Sequence, residues 1–188
     1  MEYTINEKYQ NIKELVLTSV SKNPVEIAKK IMQEDFINIH GPEHHFLDGA
    51  SFLVAYKNAG GNINIEEALN LLAERTIKMP GAMCGYWGVC GSVTSIGAAL
   101  SIINETNPLT SNEYYKNNME FTSLVIDKMS KIGGPRCCKR NAFLSLSSGV
   151  EFVKNKYKII MDVDNIVCEF SNRNQQCINI NCPYFKNK

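Results

Sequence analysis

Apolar residues recur along this chain at intervals of three and four, the pattern of helices with one buried side. Residues 6–22 carry Ile12, Leu15, Val16, Ser19 and Val20 at that spacing, which predicts a first helix. "NPVEIAKKIMQEDF" predicts a second, with Asn23 as N-cap, Pro24 in the first turn and Glu26 three residues after the cap. Its buried side should hold Ile27, Ile31 and Met32. "GPEHHFLDGASFLVAYKNAGG" predicts a third helix that starts near Pro42 and ends at Gly60–Gly61. It is apolar on more than one face around Phe46–Val54, which places it near the centre. "NIEEALNLLAERTIK" predicts a fourth, capped by Asn64 with Glu67, and with Leu69, Leu72 and Thr76 inward.

A fifth helix follows "GAMCGYWGVCGS" and runs to about Asn104. Gly91, Ser95 and Ala98 or Ala99 form a stripe of small residues that lets another backbone come close. The sixth spans Thr110 or Ser111 to Lys131, with Met119, Thr122, Val125 or Ile126, and Met129 inward, and Gly133–Gly134 after it. The seventh starts at "PRCCKRNAFLSLSSGVEFV". After about residue 157 the periodicity gives way to an irregular, cysteine-rich stretch in which a short strand is the most regular element expected. The expected fold is all-α: a helical bundle of about seven helices over 1–156, with a cysteine-rich tail over 157–188 packed on it, in one domain.

Composition narrows the function classes. With 188 residues and 44% hydrophobic positions, the chain can bury a real core. A formal charge of +1, with no long run of one sign, gives no reason to expect nucleic acid as a partner. The longest apolar run, "VTSIGAALSII", is about half of the roughly 20 residues a membrane span needs, so no membrane partner is expected. "MEYTINEKYQNIKELV" is too polar for a secretory signal, and a cytoplasmic location is the expectation. Seven cysteines are then unusual, because an odd number in a reducing compartment argues against a disulfide framework. They are available for metal, iron–sulfur or redox chemistry.

Their placement is the strongest functional signal. All three histidines, His40, His44 and His45, lie in "HGPEHH". The cysteines fall in three regions: Cys84 and Cys90, Cys137 and Cys138, then Cys168, Cys177 and Cys182. "HGPEHH", "CGYWGVCGS" and "GGPRCCKRN" each stand where a helix should begin. A helix N-terminus offers unpaired N–H groups and a positive dipole end, which lower a thiol's pKa and bind anions. If the three starts meet at one end of the bundle, they line a pocket. His40, His44 and His45 would then ligate metal, move protons or hold a substrate, with Glu43 or Asp48 orienting an imidazole. Cys90 at its helix start, and Cys137 beside Arg136, Lys139 and Arg140, are candidate reactive thiolates. Arg136 would hold a small anionic substrate, and Cys84, Trp87 and Cys138 would wall a cofactor. Adjacent side chains on a helix point about 100° apart, so Cys137 and Cys138 should not share one role.

Cys168, Cys177 and Cys182 place three thiols in a loop with little core of its own, which would gain folding energy from a ligated metal. A [4Fe–4S] cluster on these three, with Cys90 or Cys138 as a fourth ligand, is the first expectation; zinc on the same thiols is the alternative.

Taken together, "HGPEHHFLDGA", "CGYWGVCGSVTSIGAALSI", "GGPRCCKRN" and "C-x8-C-x4-CPYF" resemble a prokaryotic domain family of unknown function over roughly residues 35–186. The resemblance implies an anaerobic bacterial or archaeal setting and, in some members, attachment to methyltransferase or radical-SAM modules. More distantly, "GVCGSVTSIGAALSI" is similar to small redox-active helical proteins with a Cys-Gly-Ala-rich helix start. This chain has Gly91-Ser92 after Cys90 where those carry Gly-Ala, so only the helix start carries over. The sequence therefore supports three functions. The first is a metal- or iron–sulfur-binding enzyme of thiol, sulfur-transfer or redox chemistry. The second is a non-catalytic zinc or cluster module serving a partner enzyme, and the third a metal-free thiol sensor or sulfur carrier.

Overall fold

The computed structural model describes residues 3–186, which fold as helices in this order: α1 (Ile5–Leu17), α2 (Pro24–Ile31), α3 (Glu43–Asn58), α4 (Ile65–Thr76), α5 (Met83–Tyr86), α6 (Gly91–Ile103), α7 (Glu113–Ile132) and α8 (Cys138–Tyr157). Among the described residues there is no strand, so the short strand expected in the tail is replaced by two 3-10 turns, Ser171–Arg173 and Asn179–Asn181. No described helix is long and apolar enough to cross a membrane.

Local chemistry explains most of the boundaries. Asn23 Oδ1 accepts from the N–H groups of Val25 and Glu26, and Asn64 Oδ1 accepts from that of Glu67, so α2 and α4 start where their caps stand. α1 begins on a Thr4–Glu7 capping box but stops at Leu17, short of the expected residue 22. Val20 consequently lies 89% exposed and outside the helix. α7 starts one or two residues late on the Asn112 cap, and its buried side is Asn117, Phe121 and Val125. Met119, expected inward, is 53% exposed, because the large Phe121 sets the rotation of that helix.

α3 is the central element. Every residue from Glu43 to Tyr56 is buried, and the helix packs against α1, α2, α4, α6 and α8. Its closest approach is to α6, where Gly49 N–H donates to Ser95 Oγ at 2.9 Å. One turn earlier, Gly91 of α6 lies against the His45 ring so closely that a β-carbon there would occupy the ring's place. The two contacts are offset by four residues on both helices, so α3 and α6 run in the same direction and start together. α8 closes over both, with Gly149 against Phe52 and Ile96.

The tail is docked along its length. Asp162 N–H donates to Lys22 O, Asn23 Nδ2 to Asp164, and Lys29 pairs with Glu169 at 2.6 Å. Phe170 is buried, and Tyr184 sits edge-on to Phe143 of α8 with ring centroids 5.5 Å apart.

A methyl group at Gly49 would lie 2.6 Å from Ser95 Oγ and 2.9 Å from Leu72 Cδ2. Gly49→Ala is therefore expected to cost about 1–3 kcal/mol by forcing α3 and α6 apart, read as a lower urea midpoint.

Candidate functional site

The starts of α3, α6 and α8 do meet, and they enclose a cavity of about 240 Å³. His40, His44, His45 and Asp48 come from the first of these regions. Cys90 and Cys138 come from the other two, and Cys84 and Arg136 also line the cavity. A wider hollow shares Cys84, Cys90, Arg136 and Asn141 with it. Trp87 lines neither and is 66% exposed, which corrects its expected place as a cofactor wall. The reason is local: Gly88 has a positive φ of 69°, and the turn it makes sends Tyr86 and Trp87 outward.

Each histidine is held differently. His40 Nδ1 faces the N–H of Cys138 at 3.5 Å, and its Nε2 faces Asn174 Oδ1 at 3.0 Å. A backbone N–H can only donate, so Nδ1 accepts and Nε2 carries the proton. Burial pushes the His40 pKa below 6.5, and nearby Arg136 adds to this against the Asn174 bond. His44 Nε2 lies 3.0 Å from Lys139 Nζ and 3.1 Å from Asn38 O. Its Nδ1 is 3.9 Å from Asp48 Oδ1. His45 is pushed down by burial, opposed by the Asp48 charge. Glu43, expected to orient an imidazole, instead accepts from Asn38 N–H and pairs with Lys8, tying α1 to the start of α3.

The thiols at the helix starts are not thiolates as expected from the dipole alone. Burial pushes Cys90 up, even though Asn141 Nδ2 donates to its sulfur at 3.2 Å. Burial likewise pushes Cys138 up to about 12. Loss of water outweighs the helix N-terminus at both positions.

A second, enclosed cavity lies behind the first. It is lined by Cys137, Cys168, Cys177 and Cys182, together with Lys139 and Arg140. The fourth thiol is thus Cys137, not Cys138 or Cys90. At the start of α8, Cys137 lies between the two cavities and lines both, while Cys138 lines only the histidine pocket of the two. Backbone N–H groups point at the sulfurs: Arg140 at Cys137, Phe170 at Cys168 and Asn179 at Cys177, each at 3.4 Å. Burial raises the pKa of Cys168 and Cys182. All seven cysteines are free thiols. Among the described residues, no three His, Cys, Asp or Glu side chains gather around one point as a single metal ion would need.

One side chain joins the two cavities. Asn174, in the tail, accepts from His40 at 3.0 Å and donates from Nδ2 to Cys137 Sγ at 3.5 Å. The sequence carries no signal for it, since a lone asparagine in a loop is ordinary. Lys139 was legible only as a neighbouring charge, yet it is almost fully buried between Asn38 O, His44 and the Phe170 ring. Arg140 is also buried and donates to Gly133 O and Pro135 O, which fixes the loop before α8.

A family model described as "Family of unknown function (DUF5714)" matches residues 12–185, which include both cavities. The chain belongs to that family. No curated protein and no solved structure matches the chain. In this DUF5714 chain the chemistry must therefore be argued from the two cavities themselves.

His40 and His45 both titrate below 6.5, so on acidification the unfolded chain takes up their protons before the folded one does. Their contribution is complete above about pH 6.5 and is lost as pH falls from there through the folded values. Urea unfolding between about pH 7 and pH 5 is expected to show that decline, and His45→Gln to flatten it.

Proposed function

We propose that this chain is an iron–sulfur enzyme of thiol, sulfur-transfer or redox chemistry, with the metal centre on Cys137, Cys168, Cys177 and Cys182. The observation that carries this reading is the convergence of those four thiols on one enclosed cavity. Three supports follow from chemistry. The sulfurs receive backbone N–H groups, which favour thiolate and tune a bound cluster. Burial opposes ionisation of Cys168 and Cys182, a cost that ligation to a cation would remove. Lys139 and Arg140 line the same cavity, and their charges would offset the dianion left when four thiolates hold a zinc ion or an oxidised four-iron cluster.

Zinc–sulfur bonds of about 2.3 Å require thiolates gathered tightly around one point. Among the described residues no three donors are so gathered, so the thiols would have to draw together around either occupant. When bound, such a centre supplies one-electron chemistry or a Lewis-acidic iron. The histidine pocket then serves as the reaction chamber. His40 orients through Asn174 toward Cys137, while Arg136 at the rim holds an anionic group of the substrate. Cys90 and Cys138, held as neutral thiols, donate protons or, once deprotonated, attack as sulfur nucleophiles.

Two observations favour a second reading, a non-catalytic zinc module serving a partner enzyme. The four-thiol cavity has only about 10 Å³ of free space, and Tyr86 and Trp87 stand exposed, Tyr86 on the hollow that adjoins the histidine pocket.

Protein purified without oxygen is expected to be brown, with iron and acid-labile sulfide in equal amounts. Cys137→Ala and Cys168→Ala should lose the iron, and Cys138→Ala should keep it. Stoichiometric zinc in colourless protein would establish the second reading instead. Loss of metal in Cys138→Ala but not in Cys137→Ala would overturn the assignment of ligands.

A further inference from the structure

The histidine pocket contains a charge that the four-thiol centre does not explain. Asp48 is 0% exposed, lines the pocket, and neither of its carboxylate oxygens has a hydrogen-bond partner among the described residues. Its nearest ring nitrogen, His44 Nδ1 at 3.9 Å, is beyond hydrogen-bonding distance and is itself unpartnered. An uncompensated buried carboxylate is among the most costly features a fold can carry. It persists where something that enters the site compensates it.

The surroundings say what that something is. His45 Nδ1 is also buried and without a partner. A neutral imidazole can present the lone pair of such a nitrogen as an acceptor. Asp48 supplies two unpartnered acceptor oxygens, and His45 Nδ1 in the same pocket can act as a third acceptor, an arrangement suited to a group rich in N–H donors and carrying positive charge. A metal ion fits less well, because among the described residues no three His, Cys, Asp or Glu side chains gather around one point. Lys139 Nζ lies 3.0 Å from His44 Nε2, across that ring from Asp48, with its other contacts on Asn38 O and the Phe170 ring, and it makes no hydrogen bond to the carboxylate.

We propose that the histidine pocket binds a small molecule through a primary ammonium group, which donates to Asp48 and His45 Nδ1, with Arg136 at the rim receiving an anionic group on the same molecule. The ligand is thus a small zwitterion, such as an amino acid or amino sulfonate, that fits a cavity of about 240 Å³. This deepens the reading of the pocket as a reaction chamber but does not depend on the four-thiol centre, since colourless protein can be tested in the same way.

Thermal unfolding and one-dimensional proton NMR of the whole chain test it, with ethylammonium, β-alanine, tetramethylammonium and propionate as probes. The chain has only three histidines, so each ring signal can be assigned by substitution. Ethylammonium and β-alanine are expected to raise the melting temperature saturably and to shift the His45 signals, with β-alanine binding more tightly. Tetramethylammonium, which has the charge but no N–H donors, should do neither, and nor should propionate. Asp48→Asn should unfold at a higher temperature than the native chain without ligand, and should bind ethylammonium at least about tenfold more weakly. The proposal is overturned if tetramethylammonium matches ethylammonium, if no ammonium probe acts on the native chain, or if Asp48→Asn lowers stability while its ethylammonium response persists. Zinc binding that requires Asp48 and shifts the His45 signals where ethylammonium does not would also overturn it.

Discussion

The close approach of α3 and α6 is the contact on which the site depends. Gly49 N–H on Ser95 Oγ and the His45 ring on Gly91 bring two helices together at their first turns, in the same direction. A pair of helices packed the other way would put their starts at opposite ends of the bundle. Here the loops that precede both helices must instead share one end, and α8 adds a third start beside them. The N-terminal ends of α3 and α6 carry no side-chain cap, and the His44 and His45 N–H groups of α3 are taken up by Gly41 O and Pro42 O. Small residues in α6 thus determine where the histidines and thiols can meet.

The first turn of α8 acts as the partition between the two cavities. Cys137, the N-cap, borders both cavities and reaches the tail cysteines, whereas Cys138 lines the histidine pocket and not the four-thiol cavity. Lys139 lies in the wall, and Asn174 crosses it with one hydrogen bond on each side. The tail is therefore part of the site and not an appendage to the bundle. The buried charged and imidazole side chains Glu43, His44, His45, Asp48, Lys139 and Arg140, which are costly to bury, are concentrated here, while the buried polar residues elsewhere are mostly Ser, Thr and Asn.

Much of the fold was legible because caps and periodicity are local. Asn23-Pro24 and Asn64 announced α2 and α4, and the all-round apolar character around Phe46–Val54 placed α3 at the centre. The rotation of α7 was not legible, because Met119 and Phe121 are both apolar and only packing against α6 and α8 chooses between them. In the site, clustering of Cys and His revealed which segments meet, and the 100° step between neighbours separated Cys137 from Cys138. It could not say which cysteine faces which cavity, since that depends on the exact start of α8. Nor could it find Asn174, whose role arises only from where the tail docks. The thiol pKa values were misjudged for a related reason: a helix start is visible in sequence, whereas the depth of burial is not.

The division of labour between Cys137 and Cys138 ties chain length to chemistry. Arg140 grips Gly133 O and Pro135 O, so the loop before α8 is held at a fixed span. One residue inserted into that loop would shift the start of α8 and turn both thiols by about 100° away from their present chambers. The lineage can therefore tolerate many substitutions in this loop, but it has little freedom to lengthen or shorten it.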